Sequence, residues 1–373
     1  MKIAIEASLA QGAATGMGQY VLNLLRTLAE LNTEHEFLLM HSSAKWTGPD
    51  FGKNFRPVSY YFFKQSLAIV FNLDRVLRKE QADVFHVTCT TGVPPNITVP
   101  VITTAHDLYP LVHPENCRPL HAWFFKQLIK WTARKTTHFI TDSDFGAWEL
   151  KQYLSIPPGM ITTIKLAPAV EGMADNLPPA AERNGFLAVG AIEPRKKQLF
   201  LLEAYYNAYA KNKNIPDLVF VGPDRGNGAR LEKMIEELKL AHKVKWLKFI
   251  SSEELAGYYR SSALFLMPSS YEGFGIPVLE AMRYKLPVIC SDIPVLHEVG
   301  GDYAVYAELE DVYAWSSLML DFAQDGEKFK SSAVTAEDEL KKYSWRDCAE
   351  KTLKIYEQTA VRKNGHHRNM FKG

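Results

Sequence analysis

Residues Ala263–Met282, ALFLMPSSYEGFGIPVLEAM, contain a strand pattern, a glycine loop and a helix pattern in direct succession. ALFLM is a short, uninterrupted apolar run, which is typical of a strand buried on both faces. YEGFG follows as a loop, and IPVLEAM has apolar residues at helical spacing, with Pro277 in the first turn, where proline is tolerated. We therefore predict a strand, a loop and a helix, the repeating element of a parallel α/β sheet.

The same alternation of short apolar runs and helical stretches continues in both directions along the chain. KIAIEA, ADVFHVT and HFITDS are such runs in the first half, and GFLAVGAI and LPVICSD are such runs in the second. Between the halves, residues 172–185, GMADNLPPAAERNG, are rich in proline, glycine and alanine, which is typical of a linker. We predict an α/β protein of two Rossmann-like, doubly wound parallel-sheet domains, residues 1–172 and 185–354.

The C-terminal segment has a different pattern. WRDCAEKTLKIYEQTA is typical of a helix, and VRKNGHHRNMFKG after it is typical of a loosely ordered tail. A C-terminal helix over about residues 355–373 could pack back on the first domain.

Composition and charge narrow the class of protein. The net charge of +1 argues against nucleic acid as a partner, because nucleic-acid-binding proteins usually carry a basic excess. The four cysteines are scattered and have no metal-ligand spacing. The N-terminal apolar run breaks at Glu6, and no apolar run approaches the roughly 20 residues that span a bilayer. We expect a cytoplasmic protein.

The loop and helix start of the opening stretch predict a ligand. The amides of Phe274, Gly275 and Ile276 would point out of a helix N-terminus, an arrangement that attracts phosphate. Carboxylates beside a phosphate repel it, so Glu272 and Glu280 are better explained as acceptors for hydroxyl groups. A phosphate with hydroxyls on both sides describes a nucleotide sugar, with Glu280 on the ribose and Glu272 on the hexose. The alternative is that Glu280 is a first-turn acid favoured by the helix dipole and Glu272 a solvated loop charge.

The motif PSSYEGFGIPVLEAM resembles the signature of retaining glycosyltransferases of family 4, which have the GT-B fold. TGMGQY, TTAHDLYPL and VGAIEPRKK are similar to that family's glycine loop, histidine motif and basic motif, in the same order. The resemblance implies two Rossmann-like domains facing across a cleft. It places the donor in the second domain, the acceptor in the first and catalysis between them.

The basic motif supplies candidate catalytic cations. Arg195 and Lys196 follow a strand, where two cations can neutralise a diphosphate whose charge grows as the glycosidic bond breaks. The alternative is a solvated basic loop. The resemblance places Lys196 on the family's diphosphate lysine and Gly190 in the donor site. Many family members have arginine directly after that glycine, but Ala191 stands there, so we expect Arg195 to take the role.

His106 and two glycines are the candidates in the first domain. His106 ends the run VPVITTAH, and the resemblance favours a role near the transferred sugar; a structural histidine is the alternative. Gly16 and Gly18 lie in the loop that borders the diphosphate and the acceptor in the family. The alternative for that loop is a plain strand-to-helix turn.

TDSDF contains Asp142 and Asp144, two aspartates one residue apart, the metal-binding feature of the other large glycosyltransferase fold. We prefer a helix cap formed by Ser143 and Asp144, and predict no metal site.

Residues 117–141 contain no acidic residue. The basic and aromatic residues of this segment are Arg118, Trp123, Phe124, Phe125, Lys126, Lys130, Trp131, Arg134 and Lys135. A basic helix with aromatics can lie on an anionic membrane surface, and the alternative is a core-packed amphipathic helix with a solvated basic edge.

The resemblance therefore implies a retaining, metal-independent glycosyltransferase without a cofactor. It would move a hexose from a nucleotide diphosphate sugar to a carbohydrate or lipid-linked acceptor. GDP-mannose is the favoured donor, because the EPRK version of the basic motif resembles that of bacterial mannosyltransferases of surface polysaccharide biosynthesis. Contact with the inner membrane face would be peripheral. The alternatives are a nucleotide-sugar 2-epimerase, which would need further acid–base carboxylates, and a non-catalytic sugar-nucleotide-binding protein.

Overall fold

The structure is a computed structural model. It describes residues 1–12, 16–60, 68–94, 96–169, 177–179, 182–329 and 331–369. The predicted linker, 172–185, lies partly outside these described residues, as does the threonine that opens TGMGQY.

The chain forms two compact units. The first comprises Met1–Leu166 together with Ser344–Gly373, and the second comprises Ala167–Tyr343. The chain thus returns to the first unit at Ser344, whereas the sequence analysis placed this return near residue 355. The reason is that the last helix begins at Trp345, and the ring of Trp345 lies 6.4 Å from that of Tyr20 in the first unit.

Each unit contains one parallel sheet. The strands of the first unit are β1 (Lys2–Glu6), β2 (Glu36–His41), β3 (Phe55–Ser59), β4 (Val84–Val87), β5 (Val101–Ala105), β6 (His138–Thr141) and β7 (Ile161–Thr163). Those of the second are β8 (Phe186–Val189), β9 (Leu218–Val221), β10 (Val244–Leu247), β11 (Leu264–Met267), β12 (Val288–Ser291) and β13 (Val305–Ala307). Most are buried on both faces, as their continuous apolar sequences predict.

Helices connect the strands. In the first unit they are α1 (Gly16–Glu30), α2 (Ala68–Lys79), α3 (Tyr109–Val112), α4 (Pro119–Lys135) and α5 (Asp144–Leu154). In the second they are α6 (Gln198–Lys211), α7 (Gly228–Glu237), α8 (Ser252–Ser261), α9 (Ile276–Arg283), α10 (Pro294–Gly300), α11 (Val312–Gln324) and α12 (Ser331–Leu340). The last helix, α13 (Trp345–Asn369), packs on α1 in the first unit.

The strand order of both sheets reverses near the first strand of the unit. The orders are β3-β2-β1-β4-β5-β6-β7 and β10-β9-β8-β11-β12-β13, and every registered pair is parallel. Ligands of open parallel sheets bind beyond the carboxyl ends of the strands at this reversal. The prediction of two doubly wound α/β domains is confirmed. In the second unit the reversal lies between β8 and β11, the strand of the opening stretch.

The tail predicted after the C-terminal helix is helical instead. The backbone of α13 continues through VRKNGHHRN to Asn369. No proline interrupts this segment, and a helix that is already nucleated extends at little further cost.

The loops after β8 and β9 pass each other at backbone distance. Gly222 has φ +149°, and a Cβ there would lie 2.2 Å from the carbonyl oxygen of Gly190. The amide of Gly190 in turn donates to the carbonyl of Val221 at 2.8 Å. This contact fixes the position of the β8 loop relative to the sheet.

We expect Gly222→Ala to lower the free energy of unfolding by more than about 2 kcal/mol, because neither the backbone angle nor the space suits a side chain. Gly257→Ala is the control. Gly257 lies inside α8 with nothing within 4 Å of its Cβ position, so alanine should stabilise by about 0.5–1 kcal/mol. Urea unfolding measures both changes. Equal effects of the two substitutions would contradict this account of the loop.

Candidate active site

Two loops meet at the reversal point of the second sheet. The loop after β8 contains a 3-10 turn, Pro194–Lys196, and the loop after β11 contains YEGFG. The amide and the hydroxyl of Ser270 donate to the carbonyl of Arg195 at 2.7 and 3.1 Å. These bonds tie the basic motif to the glycine loop, although 75 residues separate them in the sequence.

Glu272 forms the centre of an ion cluster between these loops. Its Oε1 accepts from Lys196 Nζ at 2.5 Å, and its Oε2 lies 3.4 Å from Arg195 Nη1. Arg195 Nε also pairs with Glu193 Oε1 at 2.8 Å. The structure thus brings together three predicted catalytic residues, Arg195, Lys196 and Glu272. The sequence analysis did not predict that they contact one another.

Glu272 is not a solvated loop charge, because only 6% of its surface is exposed. Burial raises the pKa of its carboxyl group, but Lys196 and Arg195 lower that pKa by more. The net result is a pKa below the ordinary value for glutamate, so the group is ionised at neutral pH. A buried carboxylate with fixed cations is a well-placed acceptor for hydroxyl groups.

The start of α9 presents backbone donors beside this cluster. Gly275 precedes the helix with φ +114°, and a Cβ there would lie 2.9 Å from Leu296 Cδ2, so the turn requires glycine. In the part of the chain that the structure describes, the amides of Phe274, Gly275 and Ile276 donate to no protein acceptor. Unsatisfied amides at a helix N-terminus favour an anion.

Glu280 lies beyond the first turn of α9 and is buried. The helix-dipole explanation is therefore wrong for this residue, since that effect falls off within the first turn. The hydroxyl of Tyr259 donates to Glu280 Oε2 at 2.7 Å. Burial and the neighbouring Glu280 raise the pKa of Tyr259 well above its ordinary value, so this hydroxyl keeps its proton. Tyr259 is a site residue that the sequence analysis missed.

The side chain of Lys196 packs on the backbone at Gly190, next to Ala191. A Cβ at Gly190 would lie 3.7 Å from Lys196 Cδ and Cε, so the lysine stem packs over this glycine. Gln198 Nε2 donates to the carbonyl of Ala191 at 2.7 Å and holds the turn from the other side. The stem of Lys196 therefore runs along a fixed backbone.

The candidates of the first unit form a separate constellation. His106 directly follows β5, and its Nδ1 lies 2.7 Å from Asp142 Oδ2 while its Nε2 lies 3.2 Å from the carbonyl of Thr88. A carboxylate and a carbonyl can only accept, so a protonated imidazole satisfies both. Burial lowers the pKa of His106, but the interactions with Asp142 raise it by more, and the net pKa lies above the ordinary value.

A buried hydrogen-bonded chain lies behind His106. The ring of Tyr20 contacts the ring of His106 edge-on at 4.7 Å, and its hydroxyl bonds to Thr104 at 3.0 Å. Thr104 bonds to Nε2 of His86, whose Nδ1 bonds to Tyr356, both at 2.7 Å. Burial, and then the charge of His106, lower the pKa of His86 to about 3. One histidine is therefore neutral and the other charged.

Asp142 was interpreted only as part of a capping or metal motif. Ser143 does cap α5, because its Oγ accepts from the amide of Gly146 at 2.9 Å. Asp142 instead pairs with His106. A signal for this pair was present in the strand order, since β5 and β6 are neighbours with Ala105 opposite Thr141. The residues that follow these two partners are His106 and Asp142.

Gly16 and Gly18 lie in the first turn of α1, in the first unit. Among the described residues no group of three or more His, Cys, Asp or Glu side chains could hold a metal ion.

We expect Asp142→Asn to lower the pKa of His106, because the neutral amide no longer stabilises the imidazolium. In the unfolded chain, His106 releases its imidazolium proton near the ordinary pKa of about 6.5. In the native protein His106 keeps this proton to a higher pH. The pair therefore stabilises the fold fully below that pH, and its contribution is lost as pH rises through the raised pKa. Histidine NMR titration measures the shift, with His106→Gln to assign the signal. His86 is the internal control and should stay neutral from pH 8 to about 5. An unchanged His106 midpoint would refute the pairing.

Two family profiles match the chain. Glycosyltransferase Family 4 matches residues 14–166, and Glycosyl transferases group 1 matches residues 173–333. The O-antigen chain mannosyltransferase B of Escherichia coli is 26% identical and covers 92% of this chain and 96% of its own. The O-antigen chain mannosyltransferase RfbU of Salmonella typhimurium is 28% identical over 84% of this chain and 88% of its own.

A solved structure supports the fold independently. Sucrose-phosphate synthase from Thermosynechococcus elongatus superposes with a TM-score of 0.75 at 18% identity, covering 97% of this chain and 99% of that one. The profiles match both units of the chain, and the superposition extends over almost all of it. The chain therefore belongs to the glycosyltransferases of the GT-B fold, with a family 4 N-terminal unit and a group 1 C-terminal unit.

Proposed function

We propose that this glycosyltransferase moves mannose from GDP-mannose to a carbohydrate or lipid-linked acceptor, with retention at the anomeric carbon. The observation that carries the proposal is the buried Glu272 cluster with Lys196 and Arg195, beside the unsatisfied amides at the start of α9. Cations and amides suit a diphosphate, and a buried ionised carboxylate suits sugar hydroxyls.

The cluster can accept a diphosphate without being dismantled. Lys196 gives one N–H to Glu272, and its remaining N–H groups can donate to phosphate oxygens. The guanidinium of Arg195 is shared between Glu193, Glu272 and the carbonyl of Tyr271, and it adds positive charge beside Lys196. Because the two carboxylates balance the two cations, these four groups carry little net charge together, and an incoming diphosphate is stabilised chiefly by directed donors.

These donors act more strongly on the transition state than on the bound donor sugar. As the bond between the anomeric carbon and the diphosphate oxygen breaks, negative charge accumulates on that oxygen. Lys196, Arg195 and the amides near Gly275 then interact with a larger charge, which lowers the barrier. No metal or organic cofactor is required in this scheme.

Retention is explained by attack on the face from which the diphosphate leaves. The acceptor hydroxyl forms the new bond to the anomeric carbon, and its proton passes to the departing diphosphate oxygen. Glu272 is held by two cations with a lowered pKa, which suits binding to hexose hydroxyls better than proton abstraction.

His106 is assigned to the hydroxyls of the transferred sugar, as the resemblance implies. Its bond to Asp142, at 2.7 Å, sets the ring orientation. The longer bond to Thr88, at 3.2 Å, is the one that a sugar hydroxyl can replace as acceptor.

The choice of mannose and of surface polysaccharide is supported by the two relatives, both of them O-antigen mannosyltransferases. O-antigen is a bacterial surface polysaccharide, and we assign the reaction to the cytoplasm as part of the same proposal.

We expect Lys196→Met to reduce kcat by at least about a hundredfold, because donors aimed at developing charge contribute on that scale. Lys197→Met is the matched control. Lys197 is adjacent in sequence but pairs with the exposed Glu310 at 3.3 Å, so its neutralisation should leave kcat within about twofold of wild type. Radiolabel transfer from GDP-mannose to a saccharide acceptor measures both. A Lys196→Met enzyme with near-normal turnover would remove Lys196 from the mechanism.

We expect GDP-mannose to raise the thermal midpoint more than UDP- or ADP-sugars do, since a ligand at about 100 times its Kd stabilises by about 2.7 kcal/mol. Glu280→Gln should reduce this rise, as the amide is a weaker acceptor for ribose hydroxyls. Glu237→Gln, an exposed glutamate on α7, is the control and should not change the rise. An undiminished rise in the Glu280 variant would argue against ribose binding by Glu280.

The alternative function, a nucleotide-sugar 2-epimerase, is tested by incubating the protein with GDP-mannose and no acceptor. We expect no epimer of the donor to form.

A further inference from the structure

The outer face of α4 exposes large apolar side chains. The exposed fractions are 68% for Leu120, 55% for Trp123, 52% for Phe124 and 50% for Leu128. The opposite side of the helix packs on the sheet through Ile129, which is buried with Phe139 and Leu150. The expectation of a core-packed amphipathic helix therefore holds for only one side of α4. The outer face has apolar surface that the fold itself does not use.

A row of cations borders this apolar surface. Lys126, Lys130 and Arg134 stand at i, i+4 and i+8, so they line one edge of the helix, and all are exposed. Among the described side chains no carboxylate lies within ion-pair distance of them. The exposed cations of α13 differ, since Arg346 and Lys351 pair with acids one turn away at 2.9 and 2.8 Å.

A neighbouring helix adds aromatic surface on the same side of the sheet. β5, β6 and β7 follow each other in one direction across the sheet, so right-handed crossovers place α4 and α5 on the same side. Both helices contribute to one core, through Ile129 and Leu150. Trp148 and Tyr153 of α5 are exposed and in edge contact at 6.2 Å. We call the exposed residues of α4 together with this pair the α4 face.

We propose that the α4 face binds the surface of an anionic lipid bilayer. Tryptophan, phenylalanine and leucine suit the boundary between head groups and acyl chains, and the cation row suits lipid phosphates. The helix would lie in the plane of the interface. Within the described residues, no helix is long and apolar enough to cross a membrane.

Two observations favour a bilayer over a second copy of this chain. A two-fold symmetric contact through α4 would bring its cation row against the same row of the partner. Residues 117–141 contain no acid that could offset this repulsion. An anionic bilayer instead provides negative charge along the whole face. The proposal does not rest on mannosyl transfer, because the protein alone can be tested for binding.

The test is co-sedimentation of the purified protein with vesicles of phosphatidylcholine containing 40% phosphatidylglycerol, and with phosphatidylcholine alone, at about 50 and 500 mM NaCl. We expect binding to the anionic vesicles that weakens with salt. The triple variant Lys126→Glu, Lys130→Glu, Arg134→Glu should reduce the partition coefficient at low salt by at least about tenfold. The double variant Phe124→Ser, Leu128→Ser should reduce the fraction of protein that stays bound to anionic vesicles at the higher salt concentration.

The matched control carries the same change of charge elsewhere. Lys211→Glu, Lys233→Glu, Lys245→Glu alters three exposed lysines of the second unit and should bind vesicles nearly as wild type does. Circular dichroism and the thermal midpoint establish that each variant is folded. A wild-type protein that stays in the supernatant with anionic vesicles at low salt overturns the proposal. Equal loss in the α4 and control variants also overturns it, since net charge alone would then explain binding.

Discussion

The candidate donor site depends on one buried charge, the carboxylate of Glu272. An ionised group of this kind is strongly destabilising inside a protein unless cations and hydrogen bonds compensate it. Lys196 and Arg195 provide that compensation, and they come from the loop of a neighbouring strand. The ion cluster therefore holds the two loops at the reversal of the second sheet together. The groups that would bind a sugar diphosphate are the same groups that hold the two loops in place, which limits reorganisation on binding.

The first unit also contains a buried carboxylate that is compensated by a cation, in this case Asp142 by His106. Asp142 is buried, and its Oδ1 has no hydrogen-bond partner among the described residues, so its charge depends on His106. His86 lies one strand away, bonds to Thr104 and Tyr356, and carries no charge, because burial and the nearby His106 lower its pKa to about 3. His106 is charged because it lies beside Asp142, which directly follows β6. Because His86 is neutral, only one of the two histidines adds a positive charge to this buried region.

The sequence predicted the elements and the sheets better than the contacts between loops. Continuous apolar strands alternating with helices are sufficient for doubly wound sheets, and the motifs selected Lys196, Glu272 and Gly275 as candidate site residues. The salt bridge between Lys196 and Glu272 joins residues 76 positions apart in the sequence, and no local sequence pattern predicts a contact over that separation. Asp142 was misinterpreted because its neighbour Ser143 offers a complete local explanation as a cap. Only the strand register, Ala105 opposite Thr141, reveals its partner. Tyr259 was missed for the same reason, since it reaches Glu280 from another helix.

Periodicity also could not distinguish the two sides of α4. An amphipathic surface helix has one apolar stripe, and a helix that is apolar all round is normally buried. In α4 the buried Ala122 and Ile129 alternate with the exposed Phe124 and Leu128, so apolar residues occur on both sides. Burial on one side follows from the sheet. The apolar residues on the other side lie in water beside a row of cations, although exposed polar residues would serve the fold equally well. Covering the apolar side chains with apolar groups is favourable, and anionic groups are attracted to the cations beside them. An interface of charged lipids combines both properties.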